Sequence, residues 1–139
     1  MANTQYGYVQ GPRNLMRYRV DSTTAAIVVG DMVSLATAGY CQQISAGELP
    51  LGVAFEAVAS PAADGDASIL VDISEESVYR YPPDAGSATV ALIGTTMDVG
   101  GAQSIDIDAS TDDCILVVDV DAVANEILVQ MIRKPAGVV

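Results

Sequence analysis

The chain has 139 residues, is half apolar, carries a net charge of −12, and contains neither histidine nor tryptophan. That length fits one domain with a real core, and the acidic balance argues against nucleic acid as a direct partner, because phosphate binding needs a basic surface. Without histidine there is no Ser-His-Asp or Cys-His nucleophile and no imidazole metal site.

The charge is unevenly placed. Residues 1–20 hold Arg13, Arg17 and Arg19 and no acid, a net +3, whereas residues 21–139 hold all 18 acids against Arg80, Arg133 and Lys134, a net −15. The opening segment also carries Tyr6, Tyr8 and Tyr18. It reads as an extended N-terminal arm over 1–20 on a single β domain over 21–139. Removing residues 1–19 is expected to leave that body folded and soluble. The first fifteen residues lack an apolar stretch of the kind a signal peptide needs, so the chain reads as made in the cytoplasm.

Turn signals recur at short intervals along the body, among them Gly30-Asp31, Ala38-Gly39, Asp64-Gly65-Asp66, Pro82-Pro83-Asp84 and Gly100-Gly101. Between them the pattern predicts strands near 16–20, 24–29, 32–36, 40–44, 51–59, 67–73, 77–81, 88–93, 104–108, 114–120 and 126–133. Alternation is clean in Ile105-Asp106-Ile107-Asp108 and in Ile127-Leu128-Val129-Gln130-Met131, the period of half-buried strands. Ile69-Leu70-Val71 and Ile115-Leu116-Val117-Val118 are continuous and predict strands covered on both faces. Leu51–Phe55 reads as strand rather than helix because of Gly52, Val53 and Phe55. Residues 121–125 read as one helical turn or a hairpin. Short strands at a spacing of about ten residues mark an all-β sandwich or barrel. No apolar run is long enough to span a bilayer, and no membrane partner is expected.

Recognisable chemistry is sparse. Cys41 and Cys114 lack metal-ligand spacing and read as buried free thiols. No phosphate-binding glycine loop occurs. Asp106, Asp108, Ser110 and Asp112 faintly resemble a calcium loop, but Thr111 stands where glycine is needed and Val117 where a bidentate Glu is needed. They read as a polar strand edge and turn. No catalytic residue, cofactor or metal is expected. Tyr79-Arg80-Tyr81 should place both rings on one strand face and Arg80 on the other. Such residues suit an interface or a core, and both readings stay open.

Three segments, in order, resemble the capsid cement, or head decoration, proteins of tailed double-stranded DNA bacteriophages. They are Gly30-Asp31-Met32-Val33-Ser34-Leu35, Leu51-Gly52-Val53-Ala54 and Gly65-Asp66-Ala67-Ser68-Ile69-Leu70-Val71. Each is common alone; their order and spacing over about residues 20–75 carry the resemblance. Ile93-Gly94-Thr95 and the expected final strand Ile127–Arg133 are compatible with it. The resemblance implies a small β-barrel or β-tulip-like sandwich that binds the outer surface of the phage head and clamps neighbouring major capsid subunits. It also implies assembly as a homotrimer and a virion location.

Tyr6, Tyr8, Arg13, Arg17, Tyr18, Arg19, Tyr79, Arg80 and Tyr81 are the candidate contacts to the capsid or to other subunits. A head-fibre or tail-associated adhesin-like module is the alternative, although tryptophan, which commonly stacks on sugars, is absent.

Overall fold

The computed structural model describes residues 6–36 and 38–132. Its eleven strands are β1 (Gly7–Gln10), β2 (Leu15–Arg19), β3 (Met32–Leu35), β4 (Cys41–Gln43), β5 (Gly52–Ala54), β6 (Ser68–Asp72), β7 (Val78–Tyr81), β8 (Thr96–Gly101), β9 (Ser104–Asp106), β10 (Ile115–Asp121) and β11 (Glu126–Met131). They form two antiparallel sheets, one ordered β1-β7-β11-β10-β8-β9 and the other β2-β6-β5-β3-β4. The protein is all-β, and the sheets make a sandwich rather than a closed barrel.

Alternation decides which faces meet. Ile115 and Val117 of β10 and Ile127, Val129 and Met131 of β11 are buried with Tyr79 and Tyr81 of β7, joined by Met32 and Val53 of the second sheet. The second sheet has a further core on its other face, made by Val33, Cys41, Ile69 and Val71 and closed by Val20, Ile27 and Leu51. Burial on both faces explains why Met32, Val33 and Ser34 are all buried in one short strand. Ser34 satisfies its hydroxyl there by donating to Glu48 Oε1 at 3.0 Å, as a buried polar group must.

Two glycines permit close backbone approach. A Cβ on Gly52 would collide with the Asp72 carbonyl oxygen and meet Val71 Cγ1 at 2.9 Å, so β5 and β6 pack closely because position 52 has no side chain. Gly30 has φ +95° and lies against the Tyr6 carbonyl, where a left-handed backbone and a missing Cβ are both required.

The leader does not stand apart. β1 pairs with β7 through Gly7↔Arg80 and Tyr8↔Tyr79. β2 pairs with β6 along its whole length, from Leu15↔Asp72 to Arg19↔Ser68. Over residues 7–19 the expected extended arm is therefore corrected: the segment supplies one edge strand to each sheet. Its side-chain polarity suggested an arm, but an edge strand keeps most of its side chains in water while its backbone pairs. Cutting away residues 1–19 would strip one strand partner from each of β6 and β7, which keep β5 and β11.

Other expected elements shift. Residues 24–29 contribute only the isolated bridge Ile27↔Val58. Residues 88–93 form a short 3-10 turn at Val90–Leu92, because i→i+3 bonds from Leu92 N to Thr89 O and from Ile93 N to Val90 O use their donors locally. Residues 121–125 close a β10–β11 hairpin, with Asn125 left-handed at φ +57°. Strands β1 and β8 were not expected. Arg133, Lys134 and the end of the strand expected over 126–133 lie outside the described residues.

Candidate functional site

Where the chain crosses from β1 to β2 it passes from one sheet to the other, and a cleft of about 280 Å³ opens beside the crossing. Tyr8 of β1, Arg13 of the crossing and Phe55, just after β5, form its mouth. Arg13 Cζ lies 3.5 Å from the Tyr8 ring centroid and 4.8 Å from that of Phe55. Both distances fall within cation–π range. The Tyr8 hydroxyl donates to Gly11 O at 2.6 Å, which fixes the ring. One cation thus ties a ring carried by the first sheet to a ring carried by the second. Among the described residues Arg13 makes no ion pair or hydrogen bond.

Asp72 and Tyr79 form the inner part of the cleft. The Asp72 carboxylate accepts from Asn14 N at 3.0 Å, Ser74 N at 3.1 Å and Tyr79 Oη at 2.9 Å. It joins the leader, β6 and β7 in one knot. Burial holds the Tyr79 phenol far above its ordinary value, and the adjacent Asp72 charge adds to this. Behind it, Tyr81 Oη donates to Gly30 O at 2.7 Å, and burial raises that phenol too.

The Gly30-Asp31 pair of the sequence motif is structural. Asp31 accepts from Val28 N at 2.9 Å, Gln43 Nε2 at 2.9 Å and Gln103 Nε2 at 2.8 Å. It joins the loop before β3, strand β4 and the β8–β9 turn.

The candidate residues divide into groups. Tyr6, Tyr8, Arg13, Tyr79 and Arg80 all border the cleft. Tyr79 and Tyr81 are 0% exposed, so the question left open by their alternation resolves to core, and they are corrected as surface contacts. Arg80 faces away from them; its Nε lies 3.6 Å from Glu126 Oε1, within ion-pair distance but without a hydrogen bond. On β2, Arg17 reaches Glu56 at 3.4 Å, with the side chains 51% and 40% exposed. A pair that wet contributes little. Tyr18 packs partly against the second core, and Arg19 is exposed. Phe55 and Asp72 are cleft residues that were not among the candidates.

The other polar cluster is internally organised. Asp98 accepts from the backbone N–H groups of Thr111, Asp112 and Asp113 at 2.9–3.0 Å, and Asp106 accepts from Asp108 N at 3.0 Å. The calcium-like spacing is thus a turn held by its own carboxylates. Among the described residues no group of three or more Cys, Asp or Glu is placed to hold a metal ion. Cys41 and Cys114 are free and buried, with burial pushing the Cys41 thiol to about 12 and the Cys114 thiol to about 11. Low-reactivity thiols are the consequence.

Among the described residues no helix is long and apolar enough to cross a membrane. Comparison with protein-family models, with curated proteins and with solved structures gave no match.

Proposed function

We propose that the chain is a structural virion protein that docks on the outer surface of a phage capsid and stabilises the contacts between neighbouring major capsid subunits. One observation carries the reading. The three arginines of the leader lie on the edge strand β2 and on the crossing that leads to it from the edge strand β1, with Tyr8 and Phe55 against Arg13, on a chain whose remaining residues are strongly acidic. Basic side chains presented at sheet edges of an acidic chain favour an acidic partner surface. Arg and aromatic residues are also the types that anchor interfaces. The motif order Gly30-Asp31, Leu51–Ala54 and Gly65–Val71 supports placing that partner on a capsid. Assembly as a homotrimer would multiply weak contacts into avidity, and the net charge of −12 would keep decorated particles apart.

Co-sedimentation with undecorated heads tests this. The wild-type protein should saturate the heads. The Arg13→Gln/Arg17→Gln/Arg19→Gln variant, with its circular dichroism unchanged, should lose occupancy by about tenfold or more, and salt should weaken the wild type in the same direction. Equal occupancy by the triple variant, or no binding by the wild type, would sink the proposal.

A further inference from the structure

Arg13 is held in an unusual way for a surface arginine. Ring faces contact its guanidinium, and stacking of that kind occupies the π-face while leaving the in-plane N–H donors free. No described residue accepts from those donors. Asp72, the acid of the cleft, already receives three donors of its own. The guanidinium is therefore oriented by the two rings and, among the described residues, without an acceptor, beside about 280 Å³ of open space.

The guanidinium fork matches a carboxylate bidentately, and the two rings hold that fork in place before a ligand arrives, so less freedom is lost on binding. The walls also include Val29, Val53 and Ala54, which suit the apolar part of a peptide. A polyanion would meet the field of a −12 protein, and a second copy would bring the same repulsive charge. A single carboxylate flanked by apolar groups fits the cleft better than either.

We infer that the Arg13 cleft is a carboxylate subsite that receives an Asp or Glu side chain from the protein on which the basic face docks. The identity of that protein rests on the capsid-docking proposal; the subsite itself does not.

The test is an NMR titration of the full chain, following the Arg13 Nε–H and the Tyr8 ring. The probes are N-acetyl-Val-Glu-Val-amide, its Gln counterpart and inorganic phosphate. The Glu peptide should shift both signals saturably, and the Gln peptide and phosphate should bind about tenfold more weakly or worse. Arg13→Lys keeps the charge but loses the fork, and should weaken the Glu peptide about tenfold. Val123→Ser, at a fully exposed turn position away from the cleft, should leave it unchanged.

No saturable shift, equal binding of the Gln peptide or of phosphate, or insensitivity to Arg13→Lys would overturn the inference. So would a shift of Arg13 that grows with protein concentration alone, since a second copy would then fill the cleft. Titration that succeeds while heads are not bound would remove the capsid and keep the subsite; the reverse pattern would do the opposite.

Discussion

Asp72 should be one of the most sensitive polar positions among the described residues. Its carboxylate is 3% exposed and is the shared acceptor for the leader at Asn14, the turn at Ser74 and the core phenol of Tyr79. In Asp72→Ala the Tyr79 hydroxyl, fully buried, loses its acceptor, a penalty of about 1–3 kcal/mol. The two backbone donors are only partly buried and can recruit water, so each adds about 0.5–1 kcal/mol. The expected loss is about 2–5 kcal/mol, a large part of the roughly 5–15 kcal/mol that holds a domain together.

Asp72→Asn keeps the shape and one acceptor oxygen for both backbone N–H groups, and Tyr79 can turn its hydroxyl to accept from the new amide. Only charge assistance is lost there, about 1–1.5 kcal/mol. Tyr79→Phe removes one of the three donors from a buried carboxylate and should cost about 1.5–3 kcal/mol. The Asp72→Asn/Tyr79→Phe double variant should be non-additive by about 1 kcal/mol, because the two side chains share one bond.

Urea unfolding, followed by circular dichroism with the slope checked for constancy, reads all four. If Asp72→Ala lost less than about 1 kcal/mol, if Asp72→Asn cost as much as Asp72→Ala, or if the cycle were additive, the knot would not be holding the sheets together.

Three further outcomes follow from the same packing. Gly52→Ala places a Cβ against the Asp72 carbonyl and 2.9 Å from Val71 Cγ1; separating β5 from β6 should cost about 3 kcal/mol or more, and a urea midpoint near wild type would contradict the close approach. Cys41 and Cys114, with thiols pushed to about 12 and about 11, should resist iodoacetamide in the native protein at mildly alkaline pH and both react once it is unfolded; native labelling of either would refute their burial. Tyr79 and Tyr81 have phenols raised above the ordinary 10.0, so their stabilisation is complete below pH 10 and is lost as pH rises past it. Their phenolate absorbance should therefore appear only together with alkaline unfolding, and Tyr79→Phe and Tyr81→Phe should delete that late signal; smooth ionisation without unfolding would oppose it.

The strands that alternate were legible from composition, because Ile127, Val129 and Met131 must share a face whatever sheet receives them. β8 was hidden by the Gly100-Gly101 pair at its end, which reads as a turn. The structure shows why glycine is there: a Cβ on Gly100 would stand 3.0 Å from Asp106 N and 3.1 Å from Asp84 Cβ, so its absence lets β9 close on β8. Residues 24–29 look like a strand by their apolar content, yet Val28 and Val29 are exposed and only Ile27 is drawn into the core.

The cleft was half legible. The arginines and tyrosines of the leader stood out by charge, but Phe55 lies 42 positions from Arg13 in the sequence, and only the register of β2, β6 and β5 brings them together. Asp72 looked like the end of an apolar strand. The available hint was Ser74 two residues on, the spacing of a side-chain-capped turn.

The pairing of the leader changes what its charge can do. On a loose arm, each arginine would have to be immobilised on binding, at roughly 0.5–1.5 kcal/mol per side chain, in addition to ordering of the backbone. On β1, β2 and the crossing between them the backbone is already fixed, and Arg13 is further held between two rings. An acidic partner would therefore meet a preorganised face. The same arginines also have a defensive effect, since β1 and β2 are sheet edges and charged edges discourage pairing with identical edges. Arg17 and Arg19 of two copies would repel across such a pair, whereas an acidic segment would not. Edge protection and docking thus make different demands on charge. Replacing Arg17 and Arg19 by Glu would preserve repulsion between copies while reversing attraction for an acidic surface, so a variant that stays dispersed but leaves heads undecorated would assign the leader a docking role beyond edge protection.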